Sequence, residues 1–67
     1  MAVRALTATE ERVARLVADG LSNPQVAAEL GLTLSTVEWH LWRAFRKLGT
    51  HSRAELADRL SNEGSLE

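Results

Sequence analysis

Apolar residues recur along this chain at helical spacing, and each run is bracketed by residues that start and stop helices. Thr7-Ala8-Thr9-Glu10 has the form of a capping box, with a hydroxyl at the N-cap and a glutamate three residues on. The helix it opens carries Val13, Leu16 and Val17 as an i, i+3, i+4 stripe. Asp19-Gly20 predicts its end, because glycine suits the left-handed position after a helix. Ser22-Asn23-Pro24-Gln25 repeats the logic, with proline in the first turn, where its missing N–H is harmless, and glutamine at the third position. That short second helix carries Val26, Ala27 and Leu30 and stops at Gly31. A third helix is predicted from a Thr33 cap, with Thr36 at N3, to about Leu48, and Gly49 closes it. Ser52-Arg53-Ala54-Glu55 is another capping box, opening a fourth helix with Leu56, Ala57 and Leu60 on one side.

The pattern is all-α: a compact four-helix domain with core from about Leu6 to Leu60 and residues 61–67 as a frayed tail. A short helix, a glycine-containing tight turn and a longer helix make a helix-turn-helix unit. The third helix carries the most information. Val37, Leu41, Ala44 and Leu48 fall within a sector of about 60° and predict its buried stripe. Ser35, Glu38, Trp39, Trp42, Arg43 and Arg46 spread over the opposite side. Both tryptophans therefore face away from the core, since burying them would expose the Val37–Leu48 stripe.

Length and composition narrow the function. With 67 residues the chain holds one domain, and without cysteine it has neither a disulfide framework nor a thiolate metal site. Its apolar runs are too short for a membrane span, and no signal-peptide pattern opens it, so the expectation is a cytoplasmic, nucleoid-associated protein. His40 and His51 lack a third partner at metal-ligand spacing, and no nucleophile-elbow pattern occurs, so no enzyme, metal, cofactor or small-molecule ligand is expected. The net charge of −1 weighs against nucleic acid, but its distribution does not. Residues 32–53 hold Arg43, Arg46, Lys47 and Arg53 against Glu38 alone, a local net of +3, and phosphates respond to a local patch. Two readings of the outer face stay open on this ground. One is double-stranded DNA; the other is a helical protein-protein module anchored by Trp39, Trp42 and Arg43.

The ordered series Leu6-Thr7…Glu10, Gly20-Leu21-Ser22-Asn23, Val26-Ala27…Leu30-Gly31, Thr36-Val37…His40, Arg46-Lys47-Leu48-Gly49 and Ser52-Arg53-Ala54-Glu55-Leu56 resembles the LuxR/GerE-type C-terminal DNA-binding domain from about Leu6 to Leu60. The resemblance implies the family's four-helix fold, with a scaffold helix around 22–30 and a recognition helix over 34–48. It implies sequence-specific DNA binding in bacterial transcription regulation, as the output domain of a response regulator or similar protein. Carried over by position, base reading falls on Glu38, Trp39 and Trp42. Phosphate contact falls on Thr33, Ser35, Thr36, Arg43 or Arg46, and Lys47. A weak homodimer contact falls on Arg53, Leu56, Ala57 and Leu60, and RNA polymerase is a further candidate partner. Glu38 and Trp42 depart from the basic and polar residues usual there, so the operator should differ from that of basic-faced relatives; Pro24 stands where lysine is frequent, so one phosphate contact of the family is not expected there. The Thr36-Val37-Glu38-Trp39-His40-Leu41 wording is similar to output domains of large ATPase-bearing LuxR regulators.

Overall fold

Helices form where the caps and stripes predict them. The computed structural model describes residues 5–65, with side chains placed through Ser61. Helix α1 spans Ala8–Ala18, α2 Asn23–Leu30, α3 Leu34–Leu48 and α4 Arg53–Ser65, and no strand occurs among the described residues.

The starts are closed by the expected side chains. The Thr7 hydroxyl accepts from the Glu10 amide at 3.1 Å and the Glu10 carboxylate accepts from the Thr7 amide at 3.0 Å. Ser22 and Gln25 close the same reciprocal pair on α2. The Thr33 hydroxyl accepts the Thr36 amide and donates to the Thr36 hydroxyl. On α4 the box is offset: Ser52 accepts from the Glu55 amide, but the Glu55 carboxylate accepts the His51 amide instead of that of Ser52. The ends are closed by the backbone. Gly31 and Gly49 both adopt φ 68°, a left-handed conformation that costs other residues roughly 1 kcal/mol or more. That turn lets the Leu32 and Thr50 amides reach back to Ala27 and Phe45, satisfying carbonyls the helix leaves open.

One core joins all four helices. Val13, Ala14 and Val17 of α1, Val26 and Ala27 of α2, the predicted Val37, Leu41, Ala44 and Leu48 of α3, and Leu56 and Leu60 of α4 are buried together with Leu6. Helix α1 packs on both α3 and α4, and α2 lies mainly on α3, so α2 and the three-residue turn after it hold α3 by its inner face. Two ties to α4 are polar. Arg53 donates to the Leu21 carbonyl and to Asn23 Oδ1, pinning the start of α4 to the α1–α2 connection. Arg59 donates at 2.7 Å to the Leu48 carbonyl, placing a cation at the negative end of α3.

Two expectations for α4 are corrected. Leu56 and Leu60, carried over as dimer contacts, are 0% and 5% exposed. They close this chain's own core; of that set Arg53 is exposed and Ala57 partly exposed. The frayed tail is also shorter than expected, because α4 continues through Ser65. No strong stop signal follows Leu60, and a helix already docked adds residues at little cost. The rest of the expected tail, residues 66–67, lies outside the described residues.

Leu56→Ala should therefore destabilise the monomer by about 2–5 kcal/mol, the range for truncating a buried leucine. Urea unfolding at several protein concentrations checks this. A midpoint that falls at every concentration fits a core residue, whereas a loss confined to self-association fits a dimer contact.

Candidate nucleic-acid interface

The outer face of α3 follows from its inner one. With Val37, Leu41, Ala44 and Leu48 committed to the core, Leu34, Ser35, Glu38, Trp39, Trp42 and Arg46 are exposed. Trp39 and Trp42 are each 53% exposed and Leu34 44%, and these are the three exposed large hydrophobic residues among the described side chains. Leu34, Glu38, Trp42 and Arg46 lie at successive four-residue steps, so one line along the helix runs from Leu34 to Arg46. The sequence reading passed over Leu34. Its signal was there, because the i+4 step from Glu38 back to the first turn lands on it.

Each tryptophan carries an arginine one turn on. The Arg43 guanidinium lies 4.9 Å from the Trp39 ring centre, and that of Arg46 lies 4.9 Å from the Trp42 ring centre. Cation–π contacts of this kind contribute about 0.5–1 kcal/mol at exposed sites, enough to bias rotamers. His40, half-buried, meets Trp39 edge-on at 5.2 Å, and its Nδ1 is buried without a hydrogen-bond partner among the described residues. Trp39 thus touches both His40 and Arg43, and Trp42 is held by Arg46.

The three α3 cations are not equivalent. Arg46 is exposed and its cation stacks on Trp42. Arg43 and Lys47 turn instead toward α1 and its buried Glu10. Arg43 Nε donates to Glu10 Oε2 at 2.9 Å and Lys47 Nζ donates to Oε1 at 2.6 Å. Oε1 also accepts the Thr7 amide, so one carboxylate that is 2% exposed closes a cap and pairs two cations. Burial alone would raise its pKa. The Lys47, Thr7 and Arg43 hydrogen bonds and the Lys47 charge outweigh that effect and lower it from 4.5 to about 2. Sequence reasoning saw only the capping role of Glu10. Its cationic partners stand 33 and 37 residues away, a distance over which no local pattern operates.

Of the expected phosphate residues, Thr33, Ser35 and Thr36 gather at the N-terminus of α3, where backbone amides and the helix dipole favour an anion. Glu38, Trp39 and Trp42, expected to read bases, share the exposed middle of the helix. Arg53 is drawn away to α2, as described above. No group of three His, Asp or Glu side chains suited to a metal ion occurs among the described residues. No helix there is long and apolar enough to cross a membrane.

This two-faced third helix, resting on a short α2, has a counterpart in sequence. The model of the bacterial regulatory proteins of the luxR family matches residues 4–60. The chain belongs to the LuxR family. A Mycobacterium bovis protein named as an HTH-type transcriptional regulator is 45% identical over 60 residues, which cover 90% of this chain but 7% of that protein. The two-component response regulator PprB of Pseudomonas aeruginosa is 43% identical over 56 residues, 84% of this chain and 20% of its own. The transcriptional regulatory protein UhpA of Salmonella typhimurium is 42% identical over 55 residues, 82% of this chain and 28% of its own. The chain thus spans less than a third of each of these relatives. The all-α fold and the DNA-binding role in transcription regulation expected from the sequence are those of the LuxR family.

The depressed Glu10 pKa fixes the sign of a pH effect. A carboxylate held below its ordinary value stabilises the fold above about pH 4.5, and that contribution disappears as pH falls toward 2. Allowing for solvent around its partly exposed partners, the contribution is on the order of 2 kcal/mol. Urea unfolding at steps across that window should show the decline, and Glu10→Gln should be less stable at neutral pH with a flatter acid limb. An equally steep limb in the variant would place the linkage elsewhere.

Proposed function

We propose that this LuxR-family domain binds duplex DNA with α3 in the major groove and reads bases through Glu38, Trp39 and Trp42. The observation that supports this most is the gathering of the exposed apolar surface, Leu34, Trp39 and Trp42, onto the outer face of one helix beside Arg46. A major groove about 12 Å wide admits such a helix. Glu38 can accept from cytosine N4 but not pair with a phosphate, and the indoles offer apolar contact to a thymine methyl together with one N–H donor each. Thr33, Ser35, Thr36 and Arg46 approach phosphates from the N-terminal end and the flank of the helix.

The domain acts as a non-catalytic module of a longer cytoplasmic regulator, consistent with the small share of its relatives that it spans. We read it as pairing on DNA into a two-fold dimer with half-sites about 10 bp apart. With Leu56 and Leu60 internal, the surface for that contact is the flank of α4 that carries Arg53, Ala54 and Ala57. RNA polymerase would meet the faces of α1 and α4 that stay clear of DNA.

An HSQC titration with a duplex of about 20 bp at about 50 mM salt tests the interface. Shifts confined to residues 33–47, moving both indoles and reversing with salt, are expected. No shift, or shifts away from α3, would remove the proposal. Among variants, Arg46→Ala should weaken binding to every duplex alike, severalfold, while Glu38→Ala and Trp42→Ala should change the ranking of sequences recovered from a random library. Uniform loss for all three would overturn the assigned roles.

A further inference from the structure

The basic segment of α3 carries less available charge than its composition indicates. Of Arg43, Arg46 and Lys47, two are hydrogen-bonded ion-pair partners of one buried carboxylate on another helix. The Lys47 ammonium is only 2.6 Å from Glu10 Oε1, and its side chain is 26% exposed. A phosphate that recruited both cations would leave a buried carboxylate unpaired, which is strongly unfavourable. Nor can Glu10 escape by taking a proton near neutral pH, since its partners hold it ionised. Arg43 is also confined by Trp39 stacked on its guanidinium, so its Nε reaches inward while its plane supports the indole.

We propose that Glu10 partitions the charge of the recognition helix: it keeps Arg43 and Lys47 as its own counter-ions in the DNA complex and leaves Arg46 as the α3 cation that meets phosphate. Glu10 is thereby a positioning residue. Through Arg43 it sets the attitude of Trp39 on the groove face, and through both cations it limits sequence-independent affinity. This rests on the DNA-binding reading above and makes a different measurement decisive, namely the slope of log affinity against log salt. Each phosphate neutralised by a side chain adds about 0.9 to that slope, or about a 3.5-fold loss of affinity for a fourfold rise in salt.

The test uses the 67-residue chain and a labelled duplex of random sequence, followed by fluorescence anisotropy from low to moderate salt. Glu10→Gln is the informative variant. It keeps an acceptor for the Thr7 amide in the same arrangement that Gln25 provides on α2, while removing the charge and replacing the oxygen that accepts from Arg43 Nε with an amide NH2 that cannot accept. Its slope should steepen by about 1 to 2 as Arg43 and Lys47 become available, with low-salt affinity rising severalfold. A variant that is merely destabilised would lose affinity without steepening. Should Glu10→Gln not fold by circular dichroism, two further variants in the wild-type background decide. Arg46→Gln should reduce the slope by about 0.9, and Lys47→Gln by less than half as much. An unchanged slope in folded Glu10→Gln, or equal reductions for Lys47→Gln and Arg46→Gln, would overturn the partition while leaving DNA binding intact. Absence of salt-reversible binding by the wild-type chain would defeat the DNA-binding reading and the partition together.

Discussion

A helix can turn a single stripe toward a core, and α3 gives that stripe to Val37, Leu41, Ala44 and Leu48. The other elements are arranged around it. Helices α1 and α2 supply the valines and alanines that fill the opposite wall, and α4 returns to close the end of the core with Leu56 and Leu60. Because those contacts use up the inner face of a helix of 15 residues, about 22 Å long, its outer face is left to polar residues, two tryptophans and Leu34. In so small a domain there is no second layer to cover them. Exposure of Trp39 and Trp42 is thus a consequence of packing on the other side of the same helix, and the interface inherits its rigidity from the core beneath it.

The second organising contact is the Glu10 carboxylate. It begins as local chemistry, the N3 member of a capping box, and ends as the link between α1 and the working helix. A buried ion pair is weak ground for stability, because desolvation offsets much of the attraction. Here the carboxylate also sits at the positive end of α1 and accepts a backbone amide, which tips the balance toward the ionised form. The contact fixes side-chain direction: Arg43 is held between a carboxylate on its inner side and an indole on its outer side. That geometry transmits the position of α1 to the outer face of α3.

What could be read from the sequence was what is decided within about one turn. The capping pairs at Thr7, Ser22 and Thr33, the left-handed glycines at 31 and 49 and the α3 stripe all involve neighbours three or four residues apart, and each appears in the structure as expected. The outer-face set was legible for the same reason, apart from Leu34, which the wheel reached but the reading passed over. Contacts between distant residues were not legible. Nothing near Glu10 announces Arg43 and Lys47, and nothing near Arg53 announces Asn23. A dimer role for Leu56 and Leu60 was carried over from relatives, and such a position conveys a role without its burial. Their i, i+4 spacing beside Ala57 already fitted a core stripe, and the packing shows that this is what they form.

These constraints bear on how such a domain can be controlled. A face with one available arginine, one glutamate and two stacked tryptophans attracts phosphates weakly, so a single copy gains little from non-specific DNA. On the DNA-binding reading proposed above, contacts at the bases carry a larger share of the binding free energy, and a second copy would add its own set. Two weak, linked half-site contacts raise the effective local concentration of each other, so occupancy depends steeply on whether the pair can form. A regulator built this way needs no change within the DNA-binding domain itself. If two copies pair through α4 as proposed, whatever governs access to that helix, or the distance between the copies, governs the DNA affinity, while the core and the Glu10 contact hold the outer face of α3 constant.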